Sequence, residues 1–338
     1  MRSFLMLVIL CSLCLGGCFS MFKKTESTTP SAAESVEQIR AKAGQGDVNA
    51  QIRLGRMYEE GQGVTQGNSQ AAAWYRKAAE KGSVVAQFNL GVIYYEGRVG
   101  VTQDYNQAAM WFRKAAAQGD VKAQTNLGKM YEEGQGVTQA YSQAVEWYLK
   151  AADRGSVVAQ FNLGVMYYEG RGVKQDYIQA AAWYRKAAEQ GDVPAQFNLG
   201  VMYYEGRGVK QDYIQAAAWY QKAAEQGDVT AQFNLGVMYY EGRGITKDYI
   251  QAAEWYRKAA EQSHKKGQFH LGEMYKNGQG VPQDYAQSYM WVNLAATQGF
   301  EEAVTARDKL VKVLTPSQLE EGQRLAREWF AKHPQAGQ

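Results

Sequence analysis

Seven tryptophans constrain this chain more than any other feature. Trp74, Trp111, Trp147, Trp183, Trp219, Trp255 and Trp291 follow one another at intervals of 37, 36, 36, 36, 36 and 36 residues. A period of that length is one supersecondary unit repeated in tandem, and units that bury their apolar faces only against neighbours build a solenoid. The 338 residues therefore do not divide into two or three ordinary domains. Aligned on the tryptophans, the units begin at Ala50, Ala86, Ala123, Ala159, Ala195, Ala231 and Gly267. The one extra residue falls in the Arg98-Val99-Gly100 loop. Units 159–194 and 195–230 differ only at Arg185/Gln221 and Pro194/Thr230.

Unit four shows how each piece works. Its first eleven residues predict a helix whose inward face is Ala159, Leu163, Met166 and Tyr167, at i, i+4, i+7 and i+8. Gly164 lies beside that face and lets the partner helix approach. Gly170 and Gly172 break the helix and supply the backbone freedom of a turn. Asp176 caps a second helix with inner face Ala180, Trp183, Ala187 and Ala188, and Gly191 ends it.

The pattern A-x-x-x-L-G-x-x-Y-x-x-G-x-G-V…A-x-x-W-Y-x-K-A-A-x-x-G closely resembles the Sel1-like repeat, a longer-looped relative of the tetratricopeptide repeat. The resemblance covers residues 35–312. It implies an all-α, right-handed helix-turn-helix solenoid of seven Sel1-like repeats with a C-terminal capping helix. Residues 35–49 are expected to form an N-terminal half-repeat, 50–302 the seven repeats, and 303–338 the cap. In the cap, Thr315-Pro316-Ser317-Gln318 reads as a capping box with Pro at the first helical position. Leu319, Leu325 and Trp329 supply its apolar face.

The N-terminus reads as an export signal. Arg2 precedes an apolar run from Phe4 to Leu15, too short to span a bilayer and suited to a signal core. The run ends in Leu15-Gly16-Gly17-Cys18, which resembles the bacterial lipobox. That resemblance implies cleavage after residue 17, a covalent lipid on Cys18, and attachment to the cell envelope. Phe19 in place of Asp favours the outer membrane, with the body facing the periplasm. Residues 18–34 read as a lipidated tether rich in Ser and Thr. No other cofactor is expected.

Composition narrows the chemistry. Lys+Arg 37 against Asp+Glu 34 leaves a formal charge of +3 without a block of one sign, so no nucleic-acid footprint is indicated. Cys11, Cys14 and Cys18 all precede the repeats, which excludes a disulfide framework or a thiolate zinc site in the body. His264, His270 and His333 are the only histidines. His264 and His270 are six apart and share no helix face, so with Lys265 and Lys266 they read as a basic spot, not a metal pair. Ser20-Met21-Phe22-Lys23 matches S-x-x-K but lies in the tether without SDN or KTG partners. The chain is therefore read as non-enzymatic, a penicillin-related hydrolase being the remote alternative.

A partner surface is expected along the first helices. Unit positions 3, 7 and 10 point away from the core, at about 180–240° on a helical wheel. In units four to six they are Phe161, Val165, Tyr168; Phe197, Val201, Tyr204; and Phe233, Val237, Tyr240. Unit two matches with Phe88, Val92 and Tyr95. Units one, three and seven hold Ile52/Arg56/Glu59, Thr125/Lys129/Glu132 and Phe269/Glu273/Lys276. An apolar groove across units four to six is thus a candidate protein or peptide site. Asn162, Asn198 and Asn234 are placed to bond a peptide backbone, and Arg171, Arg207 and Arg243 to receive carboxylates. The same Tyr and Asn rows suit glycan or peptidoglycan as an alternative ligand. The bland alternative is that the apolar triplet packs on the neighbouring repeat.

Overall fold

The computed structural model describes residues 34–98 and 100–333. Every regular element among them is a helix, and they form two compact units that meet in sequence between Asp176 and Tyr177. The expected export signal, Cys18 and nearly all of the expected tether lie outside the described residues. The first unit holds α1 (Val36–Gly44), α2 (Val48–Glu60), α3 (Asn68–Glu80) and α4 (Val84–Glu96). It continues with α5 (Tyr105–Ala117), α6 (Val121–Glu133), α7 (Tyr141–Ala152) and α8 (Val157–Glu169). The second unit opens with α9 (Tyr177–Glu189), α10 (Val193–Glu205), α11 (Tyr213–Glu225) and α12 (Val229–Glu241). It ends with α13 (Tyr249–Glu261), α14 (Lys265–Asn277), α15 (Tyr285–Thr297), α16 (Glu301–Val311) and α17 (Pro316–Lys332). Within each unit, consecutive helices pack antiparallel as all-α solenoid layers.

The first helices start two residues before the alanine that opens each sequence unit, because the cap lies further upstream than the apolar stripe reveals. In repeat five Asp192 accepts from the Ala195 amide at 2.8 Å, and in repeat four Ser156 does so from Ala159 at 3.3 Å. Each first helix ends on a left-handed glycine, Gly206 at φ 73° in repeat five. The second glycine of the turn has a different task. A Cβ on Gly208 would stand 2.0 Å from the Tyr177 carbonyl oxygen. Any side chain there would push the turn off the N-terminus of the preceding repeat's second helix.

The helices of a pair close through a glycine and the aromatic residue after the tryptophan. A Cβ on Gly200 would lie 2.7 Å from the Tyr220 ring, and Gly128 bears the same relation to Tyr148. Tyr148, Tyr220 and Tyr256 are among the most deeply buried side chains. The expected inner face of alanines and Trp omits this tyrosine, because only a glycine on the partner helix makes room for it. The tryptophans fill the gap to the preceding repeat as expected: Trp255 joins the apolar cluster of Ala216, Tyr220 and Leu235. Their outer faces carry the exposed lysines, Lys186 over Trp183 at 3.9 Å and Lys258 over Trp255 at 3.7 Å.

Tyr167, expected on the inward face, is only half-buried. Its equivalents accept hydrogen bonds from the preceding second helix, Arg185 to Tyr203 at 2.7 Å and Arg257 to Tyr275 at 3.0 Å. The row of buried glutamines is a further feature absent from the apolar pattern. Gln196 donates to the Ala188 carbonyl at 3.1 Å and accepts from Gln226 at 2.8 Å. Gln232 and Gln268 repeat both bonds. Each glutamine satisfies a carbonyl at the end of the preceding helix, the group a helix C-terminus leaves unpaired.

Before the first repeat, α1 opens on a Ser35–Gln38 capping box and packs on α2. The C-terminus has two helices after repeat seven. α16 takes the place of an eighth first helix, with Ala303 fully buried. α17 begins at the Thr315–Gln318 capping box with Pro316 at its first position and lies on α15. Its buried line is Gly322, Ala326 and Trp329, whereas Leu319 and Leu325 are only half-buried. Gly322 admits the Tyr289 ring, which brings α17 in on that face.

Candidate interaction surface

The apolar triplets on the first helices are not an open stripe. Val201 is 2% exposed and Phe197 5%, both inside the core cluster of repeats five and six. Val165 and Tyr168 are buried at 6% and 7%, and Phe161 is half-buried. Phe at position 3 leans on its own second helix, Phe197 to Tyr220 at 5.8 Å and Phe233 to Tyr256 at 5.7 Å. Position 10 does likewise, Tyr204 to Tyr213 and Tyr240 to Tyr249 at 5.1 Å each. Valine is short, and the aromatic residues on either side close over it. The floor of the expected groove is packing at repeats four and five.

The asparagines are not open to a partner either. Asn198 and Asn234 are buried, at 6% each. Asn234 stands against the Tyr220 hydroxyl of the preceding repeat, and Asn162 against that of Tyr148. Burial raises both tyrosine hydroxyls well above the ordinary phenol range, so they stay neutral. A partner backbone does not reach Asn198 or Asn234 in this arrangement.

The turn arginines tie repeats together. Arg171 meets Glu132 of the preceding repeat at 3.2 Å and also pairs with Glu169. Arg98 pairs with Glu59 and with Glu96 at 2.6 Å. Where position 10 is tyrosine the link changes: Arg243 donates to the Tyr204 hydroxyl at 2.6 Å, and Tyr240 donates to Gln279 at 3.2 Å. Arg207 and Arg243 also hold Glu205 and Glu241, at 2.9 and 2.7 Å. Carboxylates of the chain itself thus already engage each of Arg171, Arg207 and Arg243. The two last keep 46% and 43% of their side-chain surface exposed, against 31% for Arg171.

Repeat two keeps Phe88, Val92 and Tyr95 half-buried in the first unit, and a further half-open set lies in the second. Tyr204 in repeat five and Phe233, Val237 and Tyr240 in repeat six are half-buried, with Arg207 and Arg243 exposed beside them. The structure also joins two residues that helical spacing separated. His264 caps α14 from outside the helix, so its ring and that of His270 both reach Phe233, at 4.8 and 5.6 Å. No group of three or more metal-binding side chains occurs among the described residues.

Helix pairs of constant length, each stitched to the next by the same glutamine, glycine and aromatic contacts, define a helical-repeat solenoid protein. The Sel1 repeat model matches residues 48–83, 84–120, 121–156, 157–192, 193–228, 229–264 and 265–300. The chain belongs to the Sel1 repeat family. A Sel1 repeat protein from Oxalobacter formigenes is 36% identical, over 81% of this chain and 79% of that one, with a TM-score of 0.66. A protective antigen present in uropathogenic Escherichia coli strains, displaying an SLR fold, is 31% identical over 90% of this chain and 96% of its own, with a TM-score of 0.47. No curated protein matches the sequence.

Proposed function

We propose that this protein is a non-enzymatic scaffold of the bacterial cell envelope, holding a protein or peptide partner on the first-helix face of repeats five and six. The observation that carries this reading is the half-exposed set Tyr204, Phe233, Val237 and Tyr240 beside exposed Arg207 and Arg243. Repeats one and three hold Arg56, Glu59, Lys129 and Glu132 at positions 7 and 10 instead, so the fold does not demand aromatic and apolar residues there. Half-buried tyrosines flanked by arginine are the composition that dominates protein interfaces. Membership of a solenoid family supports the same reading.

The anchor belongs to the proposal as well. Cys18 at the end of the lipobox-like sequence would carry the lipid, and residues 18–34 would let the repeats stand off the membrane. No helix among the described residues is long and apolar enough to cross a membrane.

The test is a crosslinking pull-down from envelopes with the wild type and a V237K/Y240E variant. Both replacements are the residues of repeat three, Lys129 and Glu132. The expected result is a protein captured by the wild type alone, with the variant still unfolding in one cooperative transition. Equal capture by both refutes the surface, and capture displaced by muropeptides transfers the function to glycan binding.

A further inference from the structure

Four departures from the repeat pattern meet at one junction. Repeat seven opens with Ser263, His264, Gly267 and His270. The other repeats hold glycine, an Asp or Ser cap, and alanine at the first three places, and repeats two to six hold asparagine at the fourth. Ser263 has φ 65° and is the only non-glycine residue with positive φ among the described residues, a conformation its Cβ disfavours. Gly267 adds backbone freedom in the first turn of α14.

The histidines replace what those substitutions remove. His264 Nδ1 accepts from the Gly267 amide at 3.1 Å, a bond that needs the lone pair of a neutral ring. Phe233 of α12 lies against both rings, and Tyr256 of α13 stacks on His270 at 5.3 Å with the planes 18° apart. The charged groups acting on the pair are Lys265 and Lys266 of the same helix; α12, α13 and α15 set no charged group against either ring. Burial first, then Lys266, His270 and Lys265, pushes His264 down to about 4. Burial and then Lys266 pushes His270 down to about 4.

We propose that this junction is an acid-operated hinge, in which protonation of His264 and His270 removes the α14 cap, breaks the stack on Phe233 and Tyr256, and releases repeat seven from repeat six. A charged imidazole cannot accept from the Gly267 amide, and it would face the positive end of the α14 dipole and two lysines. Both folded values lie below the ordinary 6.5. Stability is therefore complete above about pH 6.5 and is lost as the pH falls toward 4, on the order of 100-fold in the opening constant per histidine.

The test follows the histidine rings by NMR and the α14 amide protection factors by hydrogen exchange, from pH 7 to 4.5, in the intact chain. The comparison is an H264S/H270N variant, which restores residues that repeat two already carries as Ser83 and Asn89. The hinge predicts rings that stay neutral well below pH 6 and α14 protection that falls with acid in the wild type only. A ring titrating near 6.5 in the folded protein overturns it. So does a variant whose α14 protection falls as steeply as that of the wild type.

Discussion

The buried Tyr148 hydroxyl donates to the Glu132 carboxylate at 2.8 Å, and that same carboxylate pairs with Arg171 of the next repeat at 3.2 Å. Tyr75, Glu59 and Arg98 form the same bridge one pair of repeats earlier, the first bond being 2.7 Å. One acidic side chain thus joins the two helices of a repeat to the turn of its successor. In repeat five Tyr204 takes the acid's place, and Arg243 bonds its hydroxyl instead. The arginine link to the successor's turn is kept there, with a phenol in place of the carboxylate.

Removing one member of the ionic bridge exposes what the others depend on. Tyr148→Phe should lower stability by about 1.5–3 kcal/mol, the usual value of a hydrogen bond to a charged group. Glu132→Leu should cost about 2–3 kcal/mol, because it leaves the Tyr148 hydroxyl buried without its acceptor. Denaturant unfolding of the two single variants and the double variant should show coupling above about 0.5 kcal/mol. Additive losses would mean the bond contributes nothing net.

The glycines divide into two kinds. Gly128→Ala places a methyl 2.7 Å from the Tyr148 ring and should destabilise by about 2–3 kcal/mol. Gly267→Ala restores the residue that the other six repeats bury at this place, and its methyl meets Ala259 Cβ at 3.1 Å. That substitution should stabilise by about 0.5–1 kcal/mol through backbone entropy alone. Thermal unfolding of both variants checks the opposite signs.

Much of this was legible: the spacing of Trp74 to Trp291 set the repeat number, the paired glycines the turns, and the resemblance to the Sel1-like repeat implied the all-α class. The glycine beside the inner face could be placed because a helix pair needs one close approach. Its partner, the tyrosine after five of the seven tryptophans, stayed hidden because a Trp-Tyr pair offers two candidates for one cavity. The groove was misjudged because a helical wheel reports which side a residue leaves its helix, not whether side chains of the paired helix reach round to it. Val201 is 2% exposed and shares a core cluster with Ala216, Ala217 and Tyr220 of its own repeat's second helix. The Gln196 row was missed because polar residues read as surface, and only the structure shows the carbonyl each one satisfies.

Valines at one repeat position should respond differently to charge. Val201→Lys buries an ammonium in a filled core and should cost about 3 kcal/mol or more. Val237→Lys sits at a half-open place where repeat three carries exposed Lys129, and should cost under about 1 kcal/mol. Equal losses would show that repeat six is as closed as repeat five.

Deleting residues 195–230 should leave a folded protein. The new junction joins Pro194 to Ala231 and reproduces the sequence of an existing one, since units four and five are nearly identical. Circular dichroism should show helix content falling only by the share of one repeat, with cooperative unfolding retained. Loss of the cooperative transition would mean that repeat number is critical.

The most direct test of the scaffold account places a photocrosslinking amino acid at Tyr240, on the half-open first-helix face, and separately at Lys258, on the exposed second-helix face. Irradiated envelopes should yield a discrete protein adduct from the Tyr240 position and none from Lys258. An adduct at Lys258 alone, or none at either, would contradict a partner held on the first-helix face of repeats five and six.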